Sequence, residues 1–312
     1  PVSRLLWEFP QVAAHWQDRA KGIDERRALV AYFLLQERFG AAFIEAAKTL
    51  EQTPDDGMTN AYAYRMYALQ RDTERAQRSL LAARRKPESS YPVVLFASQT
   101  ALELEDPVES MRWNQQAFQM APNHPASHLA MVRAQVASGG SAPQFIGMAQ
   151  QALGGVPNPE LELLKGVAGL TKYLKSYAVI SLPPKQPPSQ QVLVDSIVAL
   201  EKSIELWPAR QGISWANLGL LHAVDGRRKK AYECRAKAVR AAPNDAFTQL
   251  AIAHFDLLYG DFGTARRQIT AANRIRATAF ALFLTGWANL LEAKSLAATD
   301  LPKAGARPSR RR

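Results

Sequence analysis

A spacing of about 34 residues recurs along this chain, and it limits the possible fold more than any other feature. Small residues mark the spacing: Gly226, Ala231 and Ala238 are followed one spacing later by Gly260, Ala265 and Ala272. A fixed period of this length is typical of a two-helix unit that cannot bury its apolar face alone and must stack on copies of itself. The sequence therefore predicts an all-α repeat protein.

The same spacing extends toward the N-terminus. Ala42, Ala76 and Ser110 follow one another at this interval, and so do Thr49, Ala83 and Ala117. Pro54, Pro87 and Pro122 fall at or next to the ends of these units, where proline stops a helix. The interval from Ser110 to Ala231 is longer than three periods but shorter than four, which predicts an insertion in one unit. The proline-rich stretch at 181–189 is the expected place for it.

These observations predict a layout for the whole chain. We expect a helical cap over residues 1–22, four repeats over 23–158, a long repeat with the insertion at 181–189 over 159–211, clear repeats and a terminal helix over 212–293, and a basic, disordered tail over 294–312. The expected total is about seven helix-turn-helix repeats followed by one helix.

Cysteine and histidine usage argues against several kinds of chemistry. Cys234 is the single cysteine, which excludes an internal disulfide and a cysteine-based metal cage within one chain, and we expect it to be a small buried residue. The five histidines form no metal-ligand pattern, and no nucleophile, phosphate-loop or dinucleotide motif is present. The sequence therefore predicts no cofactor, no metal, no small-molecule substrate and no enzymatic activity.

The net positive charge lies entirely in the last third of the chain. The formal net charge is +11; residues 1–208 carry 21 basic and 21 acidic side chains, whereas residues 209–312 carry 18 and 7. This face could attract nucleic acid, an acidic polysaccharide, anionic lipid or an acidic protein, or it could only aid solubility. No interleaved aromatic residues are evident, so we expect a generic anion surface formed by Arg227, Arg228, Lys229, Lys230, Arg240, Arg266, Arg267 and Arg274.

The stretch from Ile213 to Pro243 resembles the tetratricopeptide repeat (TPR) family. The residues that carry the resemblance are Trp215, Leu218, Gly219, His222, Gly226, Ala231, Ala238 and Pro243. The sequence departs from the family pattern at Arg235, where an aromatic residue is preferred, and at His222, where tyrosine is usual. The resemblance implies an all-α solenoid, a right-handed α–α superhelix whose concave groove is lined by the first helix of each pair. Such grooves bind an extended peptide or a helix, and these proteins are seldom enzymes by themselves.

At the positions that line the groove in the TPR family, the residues change from polar to mostly apolar along the chain. Early repeats offer Arg65, Gln99 and Arg133, whereas late repeats offer Leu220, Phe247, Leu250, His254, Leu258, Phe283 and Trp287. An apolar stripe at the end of an array is unusual, because a terminal repeat normally has a polar outer face. Either the helices pack so that their own side chains narrow the groove, or this end receives an apolar helix from a partner or a second copy of the chain.

Three functions remain open at this stage. The first is a non-catalytic scaffold that holds a partner protein in its groove, as a subunit of a larger assembly. The second is a repeat module of a polysaccharide export or modification system, or of a membrane-associated complex, whose basic third contacts an anionic polymer or membrane surface. The third is a repeat region of an enzyme whose catalytic domain lies elsewhere. Arg4, Glu8 and Pro10 interrupt the first apolar run, so no signal peptide is expected and a cytoplasmic location is favoured over a periplasmic one.

Overall fold

The computed structural model describes residues 22–35, 38–70, 72–84, 91–140, 142–176, 190–208, 211–275 and 278–304. Nearly all of the predicted N-terminal cap, the insertion at 181–189 and the end of the predicted tail at 305–312 lie outside these ranges.

Fifteen α-helices account for most of the described residues. They are α1 (Ile23–Leu35), α2 (Phe39–Gln52), α3 (Gly57–Leu69), α4 (Thr73–Arg84), α5 (Tyr91–Glu103), α6 (Pro107–Met120), α7 (Pro125–Ala137), α8 (Pro143–Ala152), α9 (Pro159–Ser176), α10 (Gln190–Leu206), α11 (Gln211–Val224), α12 (Arg228–Ala241), α13 (Ala246–Leu258), α14 (Phe262–Ile275) and α15 (Ala279–Ala304). Seven consecutive pairs are followed by one helix, and the predicted all-α solenoid is confirmed.

The sequence period is also the period of helix starts. The helices α1, α3, α5, α7 and α9 begin at positions 23, 57, 91, 125 and 159, each one period after the last. The next first helix, α11, begins at position 211, well beyond one further period, and α15 begins at position 279, two periods after α11. The longer interval between α9 and α11 contains the proline-rich stretch.

The chain divides into two compact units, residues 1–131 and 132–312, with the boundary inside α7. In the first unit α1 packs on α2, α3 on α4 and α5 on α6, and α3 also contacts α1, α2 and α5. In the second unit the pairs α9–α10, α11–α12 and α13–α14 pack in the same way, and α15 rests on α13 and α14. In each of these six pairs the first helix therefore contacts its own second helix and a helix of a neighbouring pair.

Close approach within the pair α11–α12 depends on small residues. A Cβ at Gly219 would lie 3.3 Å from the carbonyl oxygen of Ala231 and 3.4 Å from the Cβ of Cys234, so a larger side chain would separate the two helices. Leu218 and His222 are buried on the same side of α11. Three of the residues that carry the family resemblance, Leu218, Gly219 and His222, thus belong to the packed interior around α11.

The turn between pairs contains a recurring hydrogen bond that the sequence reading missed. Asn60 Nδ2 donates to the carbonyl oxygen of Pro54 at 2.9 Å, and His128 Nε2 lies 2.8 Å from the carbonyl oxygen of Pro122. Gln249 Nε2 donates to the carbonyl oxygen of Pro243. Each side chain comes from the first helix of the next pair and follows its proline at the same distance along the chain. The carbonyl group left free where one pair ends is therefore held by the pair that follows.

The terminal helix is longer than the sequence predicts. We expect it to end near residue 293, but α15 has 26 residues and continues to Ala304, whereas the other first helices have 13 to 18. Residues 294–304 are thus helical and do not belong to a disordered tail. The physical reason is that residues 287–301 contain neither glycine nor proline, so the first helix-breaking residue after the predicted end is Pro302, in the last turn of α15.

Candidate partner-binding surface

Three residues of the predicted apolar groove are buried: Leu220, Leu250 and His254. Leu220 is 2% exposed and Leu250 is 1% exposed, and each lies in a hydrophobic core of the second unit. Leu258 is half-buried against one of these cores. At Leu220 and Leu250 the structure agrees with the alternative in which the helices pack and their own side chains fill the groove, because α11 and α13 are enclosed by their own second helices and by neighbouring pairs.

The predicted polar groove positions lie in both units. In the first unit the Arg65 guanidinium lies over the ring of Phe96, 5.7 Å from its centroid, and Gln99 is exposed. In the second unit Arg133 Nε donates to Glu160 Oε1 at 2.5 Å. Arg133 is therefore already engaged by a carboxylate of its own unit.

Three aromatic side chains of α15 form an exposed surface, which we call the aromatic patch: Phe280, Phe283 and Trp287. Phe280 is 41% exposed and Phe283 is 53% exposed, and their stacked rings are 6.2 Å apart. The Phe283 ring lies 6.1 Å from that of Trp287, which is half-buried. Phe247 of α13, another predicted groove residue, is also exposed. The aromatic patch and Phe247 are thus the accessible parts of the predicted apolar stripe.

His254 of α13 lies beneath the aromatic patch. Its ring is 5.1 Å from that of Trp287 and 6.4 Å from that of Phe280, and the side chain is buried. Burial lowers the pKa of His254 to about 4 because the charged imidazolium would lose its hydration. The imidazole is therefore neutral near pH 7, so it places no charge beneath the aromatic patch.

The face of α15 that carries the patch corresponds to the face of α11 that binds its second helix. Two periods after Trp215, Leu218, Gly219 and His222, the sequence has Phe283, Gly286, Trp287 and Leu290. A Cβ at Gly286 would meet no atom within 4 Å, in contrast to the tight contacts at Gly219. Among the described residues, α15 has no second helix packed on this face. In the part of the chain that the structure describes, the aromatic patch therefore lies on a first helix with no second helix packed against it.

The predicted anion surface is largely accessible. Arg227 pairs with Asp225, and Arg266 Nη2 bonds Glu292 Oε2 at 2.5 Å and Asn289 Oδ1 at 2.8 Å. The remaining predicted residues are exposed, and the described part of the chain holds no carboxylate in salt-bridge range of them: Arg228, Lys229, Lys230, Arg240, Arg267 and Arg274. The first turn of α12 contains no acidic residue, so its positive side chains add to the positive end of the helix dipole.

Aromatic rings do accompany this basic surface, which corrects the expectation that none would. The Arg228 guanidinium lies 5.7 Å from the ring centroid of Tyr232 and 5.4 Å from that of Tyr259. Tyr232 lies one helical turn after Arg228 on α12, a spacing at which helix side chains meet, so the sequence contained a signal for it. Tyr259 comes from the end of α13 and could be placed only with the fold known.

Other chemistry is sparse in the part of the chain that is described. There, no group of three histidine, cysteine, aspartate or glutamate side chains is arranged to hold a metal ion. Cys234 is buried, and burial raises the pKa of its thiol to about 11. None of the described helices is both long enough and apolar enough to cross a bilayer.

Comparison with solved structures identifies the fold. The chain is similar to a tetratricopeptide repeat protein from Parabacteroides merdae, with a TM-score of 0.54 and 12% identity over 86% of this chain and 98% of that one. The chain has a TPR fold. It is also similar to a chain in the crystal structure of the APC/C hetero-tetramer Cut9–Hcn1, with a TM-score of 0.60 and 14% identity.

The second similarity covers 92% of this chain and 51% of the other, so the TPR-fold chain spans about half the length of that relative. No family model matches the sequence. No curated protein matches it either.

Proposed function

We propose that this TPR-fold chain is a non-catalytic protein-interaction module, a subunit of a larger assembly, and that its aromatic patch is buried against an apolar helix of a protein partner. The observation that carries the proposal is the exposure of stacked Phe280 and Phe283 beside half-buried Trp287. Contiguous exposed aromatic surface is a mark of interaction sites, and aromatic anchors contribute most of the binding energy at such sites.

A helix fits this surface better than an extended strand. The exposed positions on α15 repeat those by which α11 binds α12, and they lie on one side of the helix. An extended peptide would also need main-chain partners, whereas the main-chain groups of α15 are satisfied inside the helix. The neutral His254 beneath the patch imposes no charge on the incoming helix.

The test compares two glutamate substitutions on α15. Phe283→Glu places a charge inside the aromatic patch, and Leu282→Glu places the same charge on the neighbouring residue, which is 71% exposed and points to another side of the helix. Purified wild-type chain immobilised on beads should retain a partner protein. Beads that carry Phe283→Glu should not retain that protein, whereas beads that carry Leu282→Glu should. Leu250→Glu is unsuitable because it would disrupt the core. Retention of every partner by Phe283→Glu would contradict the proposal.

A second candidate is binding of an anionic polymer or membrane surface by the basic residues at the start of α12. It is supported by the exposed cluster of Arg228, Lys229 and Lys230 at the positive end of the helix dipole, with no acidic residue in that turn. Binding to an acidic polysaccharide or to anionic vesicles should weaken with salt and with the double change Lys229→Glu and Lys230→Glu. Lys202→Glu in α10 is the control, and equal weakening by both changes would indicate only non-specific attraction.

A further inference from the structure

We propose that the helix which covers the aromatic patch is α15 of a second copy of this chain, paired antiparallel across a two-fold axis. The inference rests on the proposed function, since it names the partner of the same surface. Phe283 and Leu290 are exposed, a Cβ at Gly286 would meet no atom within 4 Å, and Trp287 between them is half-buried; together they form a face of α15 that no described helix covers.

The length of α15 argues that its partner helix comes from another molecule. In the pairs α11–α12 and α13–α14 the first helix ends after 14 or 13 residues, and the chain turns back so that the second helix covers it. Helix α15 continues for 26 residues and passes the level at which those turns occur. The segment that follows the patch is thus helix, and it runs away from the patch.

The uncovered positions form a set that an antiparallel two-fold pairing maps onto itself. About the level midway between residues 286 and 287, Phe283 on one copy stands level with Leu290 on the other, and Gly286 stands level with Trp287. All four are therefore used on both copies, as an isologous contact requires. The two helices of a pair such as α11–α12 are also antiparallel, since a short turn joins them. The contact would reproduce, between two molecules, the arrangement found within one.

Charge does not oppose this contact, although each copy carries a net charge of +11. No charged side chain occurs from Ala279 to Leu291 on α15. The first charged residue after the patch, Glu292, is held by Arg266 of its own chain. Lys294 would stand level with Ala279 of the other copy. Repulsion between like charges is therefore kept away from the centre of the contact.

The size of the surface predicts a weak dimer. A half-exposed aromatic or leucine side chain offers on the order of 100 Å². Three such positions on each copy, Phe283, Trp287 and Leu290, give roughly 600 Å² in total, whereas stable complexes bury about 1,200 Å² or more. We therefore expect a dimer that dissociates on dilution in the micromolar range.

The experiment is sedimentation equilibrium of the full chain at concentrations from about 1 to about 200 μM. The wild type should pass from monomer to dimer across this range, Phe283→Glu should stay monomeric, and Leu282→Glu should dimerise as the wild type does. Circular dichroism would check that each variant is folded. Gly286→Cys in a Cys234→Ala background adds a local readout: a short bis-maleimide should link two copies through residue 286, and it should not link copies of Cys234→Ala alone.

The outcomes separate this inference from the proposed function. A monomeric wild type at the highest concentration overturns the second-copy inference, and the proposed function then still stands if Phe283→Glu loses a different protein that Leu282→Glu keeps. A dimer that survives in Phe283→Glu overturns the inference as well, because the contact would lie on another surface. A dimer lost in Phe283→Glu alone, with Gly286→Cys cross-linked, supports both.

Discussion

Arg235 and Asp256 join two successive helix pairs through two hydrogen bonds. Nε of Arg235 on α12 donates to Oδ1 of Asp256 on α13 at 2.6 Å, and Nη2 donates to Oδ2 at 2.8 Å. The carboxylate is buried. This pair explains why the sequence has arginine where the TPR pattern prefers an aromatic residue. One period later the same two positions are Ile269 and Leu290, both apolar.

Removing the carboxylate of this pair should destabilise the second unit. Asp256→Ala leaves the Arg235 guanidinium without its buried partner, and we expect the free energy of unfolding to fall by about 3–5 kcal/mol. The double change of Arg235 and Asp256 to leucine removes both charges and should lower the free energy of unfolding much less. Urea unfolding followed by circular dichroism measures both, and a double variant as unstable as Asp256→Ala would contradict this account.

The buried imidazole of His254 should make stability depend on pH. Its pKa is about 4 in the folded chain, against about 6.5 when unfolded, so below pH 6.5 the unfolded state binds a proton that the folded state does not. The stability is complete above pH 6.5 and should decrease by about 3 kcal/mol as the pH falls to about 4. Urea unfolding across this range should show the decrease for the wild type. In His254→Phe the free energy of unfolding should lack this part of its dependence on pH. An unchanged dependence would show that other groups cause it.

The two glycines on corresponding faces of α11 and α15 should respond oppositely to alanine. A methyl group at Gly219 would lie 3.3 Å from a backbone oxygen of α12, so Gly219→Ala should destabilise the fold by about 1–3 kcal/mol. Gly286→Ala meets open space and should stabilise α15 by about 0.5–1 kcal/mol. Chemical unfolding at low protein concentration, where self-association is absent, gives both values. A loss of stability in Gly286→Ala would mean that its face is already covered.

The thiol of Cys234 should react slowly while the chain is folded. Burial raises its pKa to about 11, so only about one molecule in a thousand carries the reactive thiolate at about pH 8. Labelling with a disulfide reagent should therefore proceed orders of magnitude faster in urea than in buffer. Cys234→Ala provides the blank, and rapid labelling of the folded wild type would show that α11 and α12 separate readily.

The fold could be predicted from the sequence because small residues recur wherever the helices of stacked pairs approach closely. The surface was harder to predict, since a residue at a groove position of the family is exposed or buried according to how closely the neighbouring pairs pack. Leu220 and Leu250 occupy groove positions of the family, yet both are buried. Phe283 and Trp287 belong to the apolar stripe that the sequence predicts, but only the structure shows that Phe283 is exposed and Trp287 half-buried. The Arg235–Asp256 pair joins side chains from different helix pairs, and a one-dimensional pattern could not bring them together.

The extra length of α15 also determines where anything attached to its end would be held. At about 1.5 Å per residue, Ala304 lies roughly 26 Å along the helix from the level between residues 286 and 287. In the antiparallel dimer that we propose, the two C-terminal ends would therefore emerge in opposite directions, roughly 50 Å apart along the shared axis. Two groups attached to these ends of the dimer would therefore be held too far apart to touch each other.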